Sequence, residues 1–255
     1  MLHRKDPEGL IVISQPAHSW ISGQLARVWG GGEFEQPSED LCLAAELHDV
    51  GFLDWERSPT FNPETGLPHD FLNMPPDLHL SIWSTGIEHV LRFGSYPALL
   101  LSMQFCNIAH QNWVSRKKGN IVRQFLADQF SFQQTTLAAL KNDSHYAAFL
   151  TDSTILRDRQ LLTVLDWLSL LLCLGLQEPK TIPEVPSRNA TTPITVTPLD
   201  AHGKTVRLSP WPLRVPNLQV AYEGRRLLKT CKSETEMREA FQAAPRLTLL
   251  TEVRA

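Results

Sequence analysis

Apolar residues along most of this chain recur at three- and four-residue spacing, the period of an α-helix with one buried face. Ile21, Leu25 and Val28 form the first such stripe, entered through Gln15-Pro16-Ala17 and ended at Gly30-Gly31-Gly32. Leu41, Ala44, Ala45 and Leu47 form the second; Ser38-Glu39-Asp40 before it reads as a helix start with acids in the first turn, and Gly51 stops it. The pattern predicts further helices over 80–93, with Ile82, Ile87, Val90 and Leu91 apolar, over 97–113, and over 121–140, with Phe125, Leu126, Phe130 and Leu137 facing inward. The most apolar helix, predicted over 155–174, should be central. Strand-like patterning is confined to short runs: 10–14, a candidate edge strand, then 194–197, 205–208, 218–222 and 246–250, with a helix over 234–243 before the last of them. Two stretches have no period. Residues 52–77 hold Pro59, Pro63, Pro68, Pro75 and Pro76 beside Trp55, Phe61 and Phe71, and read as a packed lid or binding loop; residues 179–193 are a Pro-rich break. The expected fold is mainly α: a helical body over 1–178, followed by a small β-rich C-terminal α+β appendage over 179–255 packed on it.

Composition narrows the function classes. With a net charge of −3 over 255 residues there is no basic excess to hold nucleic acid or an anionic membrane, so neither partner is expected. The longest apolar run, 161–176, is interrupted by Asp166 and is too short to span a bilayer. Met1-Leu2-His3-Arg4-Lys5-Asp6-Pro7 lacks the apolar stretch of a secretory signal, and a cytoplasmic location is the expectation. Cys42, Cys106, Cys173 and Cys231 form no C-x-x-C pair, and the first three sit in apolar helical runs as small hydrophobes.

Candidate chemistry gathers at the ends and centres of the helices. His48-Asp49 closes the second stripe, where an imidazole and a carboxylate side by side at a buried helix end are costly unless a cation pairs both. Asp166 stands inside Leu161-Leu162-Thr163-Val164-Leu165-Asp166-Trp167-Leu168-Ser169-Leu170-Leu171-Leu172, where an ionised carboxylate has almost no exposed face. His18 lies near the start of the first helix, beside its apolar stripe. Gly30-Gly31-Gly32 lacks the preceding strand and the Lys of a phosphate-binding P-loop, and no Ser nucleophile elbow is present.

This order, His18, then His48-Asp49, then Asp166, resembles the HD superfamily of metal-dependent phosphohydrolases. The segments His48-Asp49-Val50-Gly51-Phe52-Leu53-Asp54-Trp55-Glu56, Thr65-Gly66-Leu67-Pro68-His69-Asp70-Phe71, Asp166-Trp167-Leu168-Ser169-Leu170 and Ser209-Pro210-Trp211-Pro212 are similar to an uncharacterised bacterial family within it. The resemblance implies an all-helical body of five or more helices and one divalent metal ion (Fe, Mn, Zn, Co or Ni) ligated by His18, His48, Asp49 and Asp166. It implies a metal-activated water attacking a small phosphorylated molecule, with Asp49 serving both metal and water. The chain departs from the family at Gln104, where a His is expected; Gln104, His69 and His89 are substrate candidates, and Asp54 and His110 are candidates for proton transfer. Arg57, Arg92, Arg116, Lys117 and Lys118 could meet phosphate, although 116–118 reads more simply as a solvated turn. His79 and His145 carry no pattern and are expected at the surface. An HD-fold iron oxygenase and a non-catalytic metal- or ligand-binding protein are the alternatives.

Overall fold

Strands from both ends of the chain pair in one sheet. The computed structural model describes residues 1–114 and 119–255; the basic candidates Arg116, Lys117 and Lys118 lie outside the described residues. Strands β1 (Leu2–Asp6) and β2 (Gly9–Ile13) precede the helices, and β5 (Lys180–Pro186), β6 (Thr191–Pro198), β7 (Thr205–Ser209), β8 (Asn217–Leu227) and β9 (Arg246–Arg254) follow them. Together they make a curled seven-stranded sheet in the order β1-β2-β8-β9-β7-β6-β5. Its pairings are antiparallel except β7 with β9. A separate two-residue hairpin joins β3 (Phe61–Asn62) to β4 (Leu67–Pro68).

The fold is therefore α/β, and the expectation of a mainly α protein built on an all-helical body is corrected. Two strands of the large sheet escaped the sequence reading for physical reasons. β1 is short and polar, as suits a sheet edge that must not recruit another strand. β5 contains Pro183 and Pro186, residues tolerated at the opposite edge because the ladder there does not need every N–H. Its register shifts between Ile182 and Val185, where Glu184 takes a φ of 53°, a bulge that hides the two-residue alternation. The 10–14 run is not an edge: β2 lies between β1 and β8.

The helices fall close to the predicted ranges, although Phe130, expected to face inward, is exposed. They are α1 (Gln15–Val28), α2 (Glu39–Leu47), α3 (Phe52–Arg57), α4 (Pro76–Leu91), α5 (Ser95–Ala109), α6 (Gly119–Asn142), α7 (Ser144–Ala147), α8 (Asp152–Leu174) and α9 (Glu234–Ala243). Their starts follow from capping: Ser14 accepts from the Ala17 N–H, Ser38 from Leu41 and Thr151 from Thr154. The helix predicted over 97–113 changes character at its end, becoming a π-turn over His110–Val114. The stretch expected to be irregular over 52–77 contains α3 and the β3–β4 hairpin before α4 begins.

Sheet and helices share one core, which includes Ile11, Ile13, Val196, Val206 and Val220 from strands and Ile21, Leu25, Leu165 and Leu168 from helices. Polar ties reinforce it. The Tyr222 hydroxyl of β8 donates to the Leu172 carbonyl of α8 at 3.2 Å, and the Gln24 side chain of α1 exchanges hydrogen bonds with the Ala221 backbone. No helix among the described residues is long and apolar enough to cross a membrane.

Candidate metal centre

Three helices bring the centre together, and close backbone approach sets their spacing. Ser14 caps α1 immediately after β2, which puts His18 one turn into the helix. A Cβ at Gly23 would lie 2.7 Å from the Glu46 Cβ, so α1 and α2 meet closely there. His48 is the C-terminal cap of α2 and Asp49 follows it; a Cβ at Gly51 would lie 2.2 Å from the Ile82 carbonyl oxygen, so the turn after Asp49 sits directly on α4. Asp166 comes from the middle of α8.

Asp49 and Asp166 each reach the two imidazoles. His18 Nε2 lies 3.0 Å from His48 Nε2, 3.2 Å from Asp49 Oδ2 and 3.3 Å from Asp166 Oδ1. His48 Nε2 lies 3.6 Å from Asp49 Oδ2 and 3.5 Å from Asp166 Oδ1. Ligand atoms about 2.1 Å from a shared ion stand roughly 3.0 Å apart at octahedral corners and roughly 3.4 Å apart at tetrahedral ones, so these separations match a coordination shell. His18, His48 and Asp49 form a buried group that could hold a metal ion.

The outer hydrogen bonds fix which nitrogen carries the proton. His48 Nδ1 is 2.8 Å from the Ala45 carbonyl oxygen, which can only accept, so Nδ1–H donates. Ser169 Oγ donates to the Asp166 carbonyl at 2.8 Å and therefore accepts from His18 Nδ1–H at 2.6 Å. Ser22 adds a second donor to Ser169 at 2.9 Å. With both Nδ1 atoms engaged outward, the two Nε2 atoms face each other across 3.0 Å beside the two carboxylates, an arrangement that either a proton or a metal cation between them stabilises. Gln104 of α5 donates from Nε2 to Asp166 Oδ2 at 2.7 Å and orients the carboxylate.

The electrostatics ask for positive charge. Burial disfavours a charged His48 ring, yet the carboxylates of Asp49 and Asp166 outweigh it and raise its pKa to about 9. At His18 burial is likewise outweighed, by hydrogen bonds to Asp166 and Asp49, and its pKa is raised. Burial pushes the Asp166 pKa up, but the two imidazoles hold it well below the usual carboxylate range. The end of α2 adds the negative pole of its dipole.

The centre opens into a chamber of about 360 Å³. His18, His48, Asp49 and Asp166 line it on one side, with Gln15, His79, Trp83 and Trp113 among the other walls. A family model described as "Protein of unknown function (DUF3891)" matches residues 1–229, a span that includes every residue of the centre. The chain belongs to the DUF3891 family. No curated protein and no solved structure matches it. The resemblance to the HD superfamily is thus corrected: this DUF3891 chain is a mixed α/β protein with a seven-stranded sheet, not an HD helical bundle. Four ligand-type residues in a given order constrain a site, and too little of the chain to constrain a fold.

Several candidates lie away from the chamber lining. Asp54 is exposed on α3 and faces Arg57, with 4.0 Å between Oδ1 and Nη1; His110 is exposed at the start of the π-turn. His69 Nδ1 pairs with the Thr60 hydroxyl at 3.0 Å, and His89 is half-buried in the last turn of α4. Gln104 touches the centre only through Asp166. From the Pro-rich stretch, Phe71 and Leu72 reach the chamber, where the Phe71 N–H is tied to the Met1 carbonyl at 3.1 Å.

His79, expected at the surface, is only 6% exposed and lines the chamber. Burial lowers its pKa to about 4, although Asp49 pulls the other way, so the ring is neutral at pH 7. The signal was present: positions 79, 82, 83, 86, 87 and 90 are all buried and make one helical face. Ser22 and Ser169 were legible in the same way, four residues after His18 and three after Asp166.

Proposed function

We propose that the protein is a metal-dependent hydrolase: one divalent ion, of Fe, Mn, Zn, Co or Ni, held by His18, His48, Asp49 and Asp166, acts on a small phosphorylated molecule in the adjoining chamber. The observation that carries this reading is the pair of Nε2 atoms facing each other at 3.0 Å beside two carboxylate oxygens. A proton in that gap serves one nitrogen pair; a divalent ion serves all four donors at once. When bound, the ion would lower the pKa of a water toward neutrality and draw charge from a phosphoryl oxygen.

The residues have distinct roles in this scheme. His18 and His48 present fixed lone pairs, because Ser169 and the Ala45 carbonyl hold their other nitrogens. Gln104 keeps Asp166 turned toward the centre. Asp49 Oδ2 faces the imidazoles, and its other oxygen takes no hydrogen bond from the described residues, so it would be the acceptor for a water bound to the ion. His79, neutral and lining the same chamber, would take the proton of the water and pass it to the departing ester oxygen as the ester bond to phosphorus is replaced by a bond to the water oxygen.

The test is a panel of phosphomonoesters and phosphodiesters presented to protein loaded with each metal in turn. Hydrolysis by the wild type that disappears on chelation and in Asp49→Ala is the expected outcome. A stoichiometrically loaded protein that is silent across the panel, or one that instead consumes oxygen with an organic substrate, overturns the assignment.

A further inference from the structure

Part of the chamber lining is built of rings. Trp83 stacks on Phe105 with centroids 4.7 Å apart and planes 3° apart. Trp113 lies 5.4 Å from both Trp83 and His79, and Phe71 closes another side. Trp113 reaches this position because the chain leaves α5 through the π-turn at His110–Val114. A cage for an organic cation sets ring faces around a point. Here Trp83 is nearly parallel to Phe105 and only 38° from Trp113, with His79 4.4 Å from Trp83 at 52°, which makes a layered wall flanked by one tilted ring. Such a wall suits a flat ring, which gains offset or edge contacts that a saturated body does not.

A second, independent observation sits in the same chamber. Gln15 is only 3% exposed, and its Oε1 has no hydrogen-bond partner. Its Nε2 donates to none of the described residues either, so the side chain lines the chamber with its amide unpaired; the Gln15 backbone N–H donates to Glu56 Oε1 at 2.9 Å. A buried amide left unpaired is costly, and a ligand that pairs with it recovers that cost.

The geometry points to a substrate whose body is a planar aromatic ring bearing an uncharged hydrogen-bonding group, with the ring against Trp83 and Trp113 and the polar group on the Gln15 amide. The assignment rests on the proposed hydrolase only for the position of the reacting group, which would lie at the metal centre.

The test uses the full chain, with and without one equivalent of zinc, titrated calorimetrically with three probes. Benzamide carries both features, cyclohexanecarboxamide keeps the amide without the flat ring, and tetramethylammonium probes for a cation cage. Benzamide should bind at least roughly threefold more tightly than its saturated counterpart. Trp113→Ala and Gln15→Met should each weaken benzamide roughly three- to tenfold while leaving zinc content at the wild-type value. Equal binding of the two amides, preference for tetramethylammonium, or folded variants with wild-type benzamide affinity overturns the assignment. The wild-type probe comparison stands even if a variant does not fold. Zinc stoichiometry is read separately: selective benzamide binding by a chain that takes no zinc supports the ring site and removes the hydrolase reading alone.

Discussion

Replacing Ser169 with Ala removes one oxygen and takes away the outer partner of His18, one of the four proposed ligands. The Ser169 hydroxyl accepts from His18 Nδ1–H at 2.6 Å and donates to the Asp166 carbonyl at 2.8 Å, in a fully buried position. Without it the imidazole N–H is left unmet, at a cost of about 1–3 kcal/mol. The ring can then recover a partner only by turning or by moving its proton to Nε2, where it occupies the lone pair that a metal needs. Loss of the outer partner of a metal-bound His typically weakens binding by about 10–100-fold, equivalent to about 1.4–2.8 kcal/mol. Ser169→Ala should therefore bind zinc or manganese roughly 10–100-fold more weakly than the wild type. Competition against a chromophoric chelator measures this, with circular dichroism to show that the helices persist. Ser22→Ala is the control: Ser22 donates to Ser169 but does not touch His18, and its loss should cost less than roughly tenfold. A folded Ser169→Ala protein with wild-type metal affinity would refute the assignment of the His18 lone pair to the centre.

Other expectations follow from the same geometry. His110→Ala and Asp54→Ala should leave metal affinity and turnover unchanged, because both side chains are exposed and neither lines the chamber; a large loss of turnover in either, at unchanged metal content, would show that the chamber is not where the chemistry happens. Gly51→Ala drives a Cβ to 2.2 Å from the Ile82 carbonyl and should destabilise by about 1–3 kcal/mol, read as a Tm lowered by several degrees; an unchanged Tm contradicts the close packing of that turn on α4. The metal-free protein should lose stability as the medium becomes alkaline. The folded pKa of His48 is raised from 6.5 to about 9, so its contribution is complete below pH 6.5 and is lost as the pH rises through about 9. Urea titrations in chelator at three pH values would show this slope, and a flat profile would contradict it.

Much of the centre was legible in the sequence because polar residues were embedded in apolar helical stripes. Asp166 is conspicuous inside the leucine-rich run of α8, and His18 and His48-Asp49 interrupt stripes that burial would otherwise keep apolar. The walls of the chamber were harder to read. His79 lies on the buried face of α4 but adjoins a Pro-rich stretch that blurs where the helix begins, and Trp113 reaches the chamber through a π-turn that no helical period announces. The sheet was legible only in part, because its two edges are the strands whose residues least resemble strands: charged β1 and proline-bearing, bulged β5. Pairing of β2 with β8 joins residues more than 200 positions apart, and a pattern read along the chain contains nothing that specifies such a partner.

The central claim is that two imidazoles and two carboxylates share one ion. Metal-free protein titrated with zinc, manganese, cobalt, nickel and ferrous iron under anaerobic conditions, followed by elemental analysis after desalting, measures it directly. One equivalent of a divalent metal per chain, retained by the wild type and lost in His48→Ala and Asp166→Ala, is the predicted result. A folded wild-type protein that retains none of the five metals, or whose metal content is untouched by either substitution, would contradict it.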